Sequence, residues 1–146
     1  MTQDDTRYDV LLVDDDTADL ALITEAFTAH RVSTRLHIAH DGIEALAYLH
    51  NDGEATPRPD LILLDLNMPR MNGREVLTAV KQDSLLATIP IVVFTTSAQP
   101  DDVTSSYLRH ANAYVTKPID LDAFTAAVNT IHTFYRELAT RPPHTA

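Results

Sequence analysis

Hydrophobic and polar positions along the chain alternate between two periods. Residues 8–13 form a short apolar run of strand character, and residues 17–30 then carry Leu20, Ile23, Ala26 and Phe27 at helical spacing behind the acidic capping candidates Asp15 and Asp16. A weaker strand over 35–39 leads through Asp41-Gly42 into a helix with Ile43, Leu46, Ala47 and Leu49 as its apolar positions. Residues 51–59 are polar, with Gly and two Pro, and read as a loop. Residues 61–66 are continuously apolar, the pattern of a central strand buried on both faces. Met71-Asn72-Gly73 turns the chain into a helix carrying Val76, Leu77 and Val80, and Pro90 introduces a fourth strand over 91–94. A shorter, more polar helix over 101–110 and a fifth strand over 113–116 follow. The longest helix then runs from Leu121 to about Thr140, with Asp120 as its cap.

Five strand-helix units with right-handed crossovers predict an α/β fold, a doubly wound parallel sheet with helices on both faces. The natural arrangement is the flavodoxin-like (βα)5 architecture with strand order 2-1-3-4-5. At 146 residues the chain is one domain, expected over residues 7–140, with 1–6 and 141–146 as flexible termini.

Composition narrows the possibilities. The absence of cysteine excludes a disulfide framework, thiolate metal sites and a cysteine nucleophile, and it suits the cytoplasm. The first residues are polar and acidic, unlike a secretory signal, and no apolar run approaches the ~18 residues of a membrane span. A formal charge of −10 with no Lys/Arg cluster argues against direct nucleic-acid binding.

The candidate chemistry lies in three segments that each close a hydrophobic run: Val13-Asp14-Asp15-Asp16, Leu64-Asp65-Leu66-Asn67-Met68-Pro69 and Tyr114-Val115-Thr116-Lys117-Pro118. In an open parallel sheet the carboxyl ends of the strands converge on the ligand crevice. Two acidic segments and one Lys-Pro there suggest Mg²⁺, a carboxylate acceptor and a cation for phosphoryl oxygens. Taken singly, each has a plainer reading. The Asp run could cap the first helix, Lys117-Pro118 could be an ordinary turn, and Thr95-Thr96-Ser97 could bond locally. Asp16 is read as a cap alone, and the seven His are scattered and read as structural or solvated.

Taken together and in order, these residues resemble the receiver domains of two-component response regulators, over nearly the whole chain. The resemblance implies Asp65 as phosphoacceptor and Thr95 and Lys117 as its hydroxyl and cationic partners. It also implies a Mg²⁺ site made directly by Asp15, Asp65 and the backbone carbonyl of Asn67 and through water by Asp14, with Lys117 paired to Asp65 at rest. The cation is needed because a carboxylate and a phosphoryl group are both negative, and Mg²⁺ is a hard ion that prefers oxygen ligands. Tyr114 matches the family's switch aromatic, which with Thr95 would report the state of Asp65; a half-exposed strand aromatic is the alternative.

Phrases such as Asp19-Leu20-Ala21-Leu22, Gly73-Arg74-Glu75-Val76-Leu77 and Ala111-Asn112-Ala113-Tyr114-Val115-Thr116-Lys117-Pro118 look like the single-domain regulators paired with bacterial and cyanobacterial phytochrome histidine kinases. That subfamily often has Glu-Asp where this chain has Asp14-Asp15. The resemblance implies a non-enzymatic phosphoacceptor served by a sensor histidine kinase such as a bacteriophytochrome. Its output would be protein contact, because no helix-turn-helix or catalytic appendage follows the last strand-helix unit. A phosphorelay intermediate or phosphate sink is the alternative. A haloacid-dehalogenase-type phosphohydrolase would need a second Asp two residues after a nucleophile on the first strand, whereas Asn67 follows Asp65 on the third. A phosphorylation-independent scaffold would be expected to have lost Asp65 or Lys117. Members of the subfamily tend to form homodimers through helix four, strand five and helix five. Here Phe134, Tyr135 and Leu138 extend the last helix's apolar girth beyond the core positions Phe124, Ala127, Val128 and Ile131, either as an interface or as packing beneath the tail.

Overall fold

The three central strands of the computed structural model are short and almost wholly apolar because both faces of the sheet are covered there. The structure describes residues 7–28, 34–51 and 56–143. Five strands, β1 (Tyr8–Val13), β2 (Thr34–Ala39), β3 (Leu61–Leu64), β4 (Ile91–Thr95) and β5 (Ala113–Thr116), pair in parallel in the order β2-β1-β3-β4-β5. This is the expected flavodoxin-like α/β arrangement. Five helices connect and cover them: α1 (Thr17–Thr28), α2 (Gly42–Leu49), α3 (Gly73–Gln82), α4 (Pro100–Leu108) and α5 (Leu121–Thr133).

Alternation along each strand divides the core in two. Leu11, Val13, Ile62, Leu64, Ile91 and Val93 pack with Ala45 and Leu49 of α2 and with Val76, Leu77 and Val80 of α3. On the opposite face Tyr8, Val10, Leu12, Leu61, Leu63, Val92 and Phe94 pack with Leu20, Ile23 and Phe27 of α1 and with Phe124, Val128 and Ile131 of α5. The register is fixed at its centre by Val10 opposite Leu61 and Leu64 opposite Val93. The weak apolar signal of β2 has a direct cause. It is an edge strand whose Arg35 and His37 turn to the buried carboxylate of Asp9, at 2.9 and 3.1 Å.

Local chemistry sets the helix starts. Asp41 caps α2 by accepting from the Glu44 N–H at 2.9 Å, and Asp120 caps α5 through the Ala123 N–H at 2.9 Å. Asn72 and Glu75 form a reciprocal capping box on α3. Asp16 caps α1, accepting from the Ala18 and Asp19 N–H groups at 3.0 and 3.1 Å.

The C-terminal helix departs from expectation. Its α-helical part stops at Thr133 and a single π-helical turn, Phe134–Leu138, follows, closed by the Ala139 N–H donating to Phe134 O at 2.7 Å. Within this turn Tyr135 packs on the α1/α5 core, so only Phe134 and Leu138, 45% and 75% exposed, remain as surplus apolar surface. The described chain continues to residue 143. Arg141 donates to Arg7 O at 3.0 Å and lies 3.7 Å from Asp60, while residues 1–6 and 144–146 lie outside the described residues. No helix among the described residues is long and apolar enough to cross a membrane.

Candidate functional site

Three backbone hydrogen bonds carry the sheet ladder one residue past its strands and so set the site. The Asp14 N–H donates to Ala39 O at 3.1 Å, the Asp65 N–H to Val13 O at 2.9 Å and the Lys117 N–H to Thr95 O at 2.7 Å. The carboxylates of Asp14, Asp15 and Asp65 converge until their oxygens lie within 4.8 Å of one another. Asp14 and Asp65 are buried, and Asp15 opens to solvent. At an effective dielectric near 20, each such pair of charges repels by roughly 3.5 kcal/mol. Solvent screens exposed Asp15 and the Lys117 ammonium offsets part of what Asp14 and Asp65 feel, so only part of the three-pair sum remains.

Two routes relieve that repulsion. One is protonation. Burial pushes the Asp14 carboxyl up to about 6, reinforced by the Asp65 charge and opposed by hydrogen bonds from Lys117 and the Asp16 N–H. The other is a cation, and the donor set is the all-oxygen one that a hard divalent ion prefers. The residues present thus fit Mg²⁺ or an ion like it. Asn67, expected to add its carbonyl, stands two residues after Asp65 in an exposed turn.

Two glycines hold that turn. The Gly73 N–H donates to Leu66 O at 2.9 Å, and a Cβ at Gly73 would meet Asp65 O at 2.2 Å. On the far side the Gly42 N–H donates to Met71 O at 3.0 Å. Arg70 adopts a left-handed φ of 64° and clamps the turn to α2, its Nε donating to Asp41 Oδ2 at 2.7 Å.

Lys117 keeps its expected ion pair with Asp65 but bonds two other carboxylates more closely. Its ammonium lies 2.7 Å from Asp14 Oδ2, 2.7 Å from Asp19 Oδ2 and 3.7 Å from Asp65 Oδ2. The Asp65 contact is thus the longest of the three. The reason is the side of the sheet on which the lysine lies: Nζ sits 6.0 Å from the Phe94 ring centroid, on the face covered by α1, where Asp19 is within reach. Burial alone would lower the lysine's pKa, but the bonds to Asp14 and Asp19 outweigh it and hold the ammonium above its ordinary range. Asp19 was missed in the sequence. The local pattern marks it only as a helix-start acid, and its partner is 98 positions away.

Thr95 ends β4 fully buried, and its hydroxyl has no hydrogen-bond partner among the described residues. Leaving such a group unpaired costs about 1–3 kcal/mol, which an arriving acceptor oxygen would recover. Tyr114 pairs with Val93 across the β4–β5 ladder, and its hydroxyl donates to Ser97 O at 2.8 Å. Ser97 donates in turn to Asp102 at the start of α4, which Arg74 of α3 also binds. The Ser97 hydroxyl and the Arg74 guanidinium hold the Asp102 carboxyl below the usual carboxylate range. Tyr114 is therefore connected to both α3 and α4 by side chains that sequence spacing does not bring together.

The model of the response regulator receiver domain matches residues 10–129. Response regulator Rcp1 of Synechocystis sp. is 44% identical over 135 residues, which cover 91% of this chain and 92% of that protein. A crystal structure of the Mn²⁺-bound form of Rcp1 superposes with a TM-score of 0.88 at 43% identity, covering 93% of this chain and 99% of the other. The phosphorylated cyanobacterial phytochrome response regulator RcpA gives a TM-score of 0.90 at 43% identity, over 94% and 99%. With a family model spanning most of its length, a relative aligned almost from end to end and the same order of strands, this chain belongs to the response regulator receiver domains.

Proposed function

We propose that Asp65 accepts a phosphoryl group from the phosphohistidine of a sensor histidine kinase, that a phytochrome kinase is the partner, and that the phosphorylated chain signals through protein contacts in the cytoplasm. The observation that carries this reading is the convergence of Asp14, Asp15 and Asp65 beside the buried Lys117 ammonium at the carboxyl ends of the strands. The likeness to RcpA, a phosphorylated phytochrome response regulator, supports the choice of partner.

In the transfer, an Asp65 carboxylate oxygen attacks phosphorus while the bond from phosphorus to the imidazole nitrogen breaks and its electron pair returns to the ring. The carboxylate is a weak nucleophile toward an anion, so position and charge cancellation supply the rate. Mg²⁺, when bound, supplies that cancellation. Asp14, Asp15, Asp65 and the Asn67 carbonyl would hold it, in keeping with the Mn²⁺-bound form of Rcp1. Lys117 brings its ammonium to one phosphoryl oxygen as a point charge, and the unpaired Thr95 hydroxyl donates to another. Drawing Thr95 toward the phosphoryl group alters the packing beside Tyr114, which carries the change to α4 through Ser97 and Asp102. Exposed Tyr107 and Leu108 on α4, with Phe134 and Leu138 beyond α5, form the face through which two copies associate.

Transfer from autophosphorylated phytochrome kinases, scored on a phosphate-affinity gel with Mg²⁺ present, tests this reading. Wild type acquires acid-stable, base-labile label, and both Asp65→Asn and chelation of Mg²⁺ abolish it. Label at wild-type level in Asp65→Asn overturns the reading.

A further inference from the structure

Lys117 is engaged before any phosphoryl group arrives. An ammonium has three N–H donors. Two of them are committed at 2.7 Å, to Asp14 and to Asp19, and the lysine side chain is only 4% exposed. Asp14 belongs to the acid cluster that fits a cation, but Asp19 does not. Asp19 sits in the first turn of α1, where its own N–H is fixed by the Asp16 cap at 3.1 Å. Its carboxylate therefore approaches the lysine from a capped helix end.

We propose that Asp19 is a positioning residue that holds the Lys117 ammonium back from Asp65 in the resting protein and competes with the phosphoryl group for it. The proposal rests on the reading of Asp65 as the acceptor. The geometry gives its sense. The ammonium is 1.0 Å farther from Asp65 than from Asp19, the difference between 3.7 and 2.7 Å. The third N–H is left for a phosphoryl oxygen on Asp65, but the two short bonds hold Nζ 3.7 Å from that carboxylate, and closer approach stretches them. When a cation draws on Asp14, Asp19 becomes the partner that still retains the lysine. Occupancy of the phosphorylated state is then set by a contest between two anions for one buried cation. Removing the charge of Asp19 releases Lys117 toward Asp65 and strengthens binding of a phosphoryl mimic.

The test is calorimetric titration of the whole chain with beryllofluoride at saturating Mg²⁺, alongside Mg²⁺ titration alone. Asp19→Asn binds beryllofluoride about tenfold tighter than wild type, equivalent to about 1.4 kcal/mol, with Mg²⁺ affinity changed by no more than about threefold. Asp19→Glu, which keeps the charge, restores the wild-type value within about twofold. In a Lys117→Met background Asp19→Asn has no effect on beryllofluoride affinity, because the contested cation is gone. Equal or weaker beryllofluoride binding by Asp19→Asn overturns the proposal, as does the same gain in the Lys117→Met background. Should Asp19→Asn fail to fold, Asp19→Ser is judged by the same criteria. Unchanged binding in Asp65→Asn, or none by wild type, defeats the acceptor reading itself and this proposal with it.

Discussion

Replacing Gly73 with Ala tests whether the acid cluster is held in place by the close approach of α3 to the strand end. The added Cβ would lie 2.2 Å from Asp65 O and 2.8 Å from Leu66 Cα, both backbone atoms that no rotamer change can move aside. Non-bonded carbon contacts become favourable near ~3.5 Å, so the helix start and the Asp65–Leu66 backbone have to separate by roughly 1 Å. Overpacking of this kind costs about 1–3 kcal/mol. Loss of the 2.9 Å bond from the Gly73 N–H to Leu66 O adds about 1 kcal/mol. The better helix propensity of Ala returns up to about 1 kcal/mol. The net loss is about 1–4 kcal/mol, or a fall in Tm of roughly 3–13 °C for a chain of this size. The same movement displaces the Asp65 carboxylate from Asp14 and Asp15, so Mg²⁺ affinity falls at least tenfold. Thermal unfolding followed by circular dichroism gives the first number and calorimetric Mg²⁺ titration the second. A variant that melts within about 2 °C of wild type with unchanged Mg²⁺ affinity refutes the argument that this approach positions the site.

Three further outcomes follow from the geometry. Because the Asp14 carboxyl is pushed up from 3.8 to about 6 in the metal-free fold, the folded chain keeps a proton that the unfolded chain has already lost; its contribution is greatest below about pH 4 and is lost as pH rises to about 6. Cation binding displaces that proton, so Mg²⁺ affinity is level above pH 7 and declines on acidification through about pH 6. In Asp14→Asn the bend disappears, and a wild-type profile that is flat from pH 7 to 5 contradicts the assignment. Arg70→Ala removes a cation bonded to the Asp41 cap, so the Asp41 titration, followed by carboxyl-carbon NMR, moves up from its present low position; an unmoved titration shows that the Glu44 N–H alone sets it. Finally, Phe134→Asp with Leu138→Asp disperses any dimer formed through the α4–β5–α5 face. Each buried apolar side chain contributes about 1.5–3 kcal/mol and two-fold symmetry doubles it, so sedimentation velocity at tens of micromolar reads monomer for the variant and dimer for wild type. Identical profiles place the contact elsewhere.

The elements that sequence made plain are those whose neighbours are determined by period alone. Leu61–Leu64 reads as a central strand because burial on both faces leaves no polar position, and the strand-end acids Asp14, Asp15 and Asp65 follow from where the apolar runs stop. The losses are contacts between residues far apart in the chain. Asp19 looks like any first-turn acid until Lys117 is placed over Phe94, and the links from Arg74 through Asp102 and Ser97 to Tyr114 join three elements that no local pattern relates. The last helix was mistaken in a different way. Tyr135 and Leu138 both continue the apolar spacing of α5, and Tyr135 stays on the core, but the wider π-helical turn shifts the angular phase and leaves Leu138 exposed together with Phe134.

The bond from Arg141 to Arg7 O brings the two ends of the described fold together at the pole opposite the acid cluster. β1 has six residues, so at ~3.3 Å per residue about 20 Å of sheet separates that junction from Asp14. Reporter proteins or surface tethers attached at either end therefore leave the crevice clear. The same closeness makes the chain a candidate for circular permutation: a short glycine-serine link between Arg141 and Arg7, with new ends cut between Leu49 and Leu61, would keep all four strand pairings. Such a permutant would turn this domain into an insertable cassette, able to sit within a loop of a host enzyme and transmit the state of its aspartate through two closely spaced attachment points.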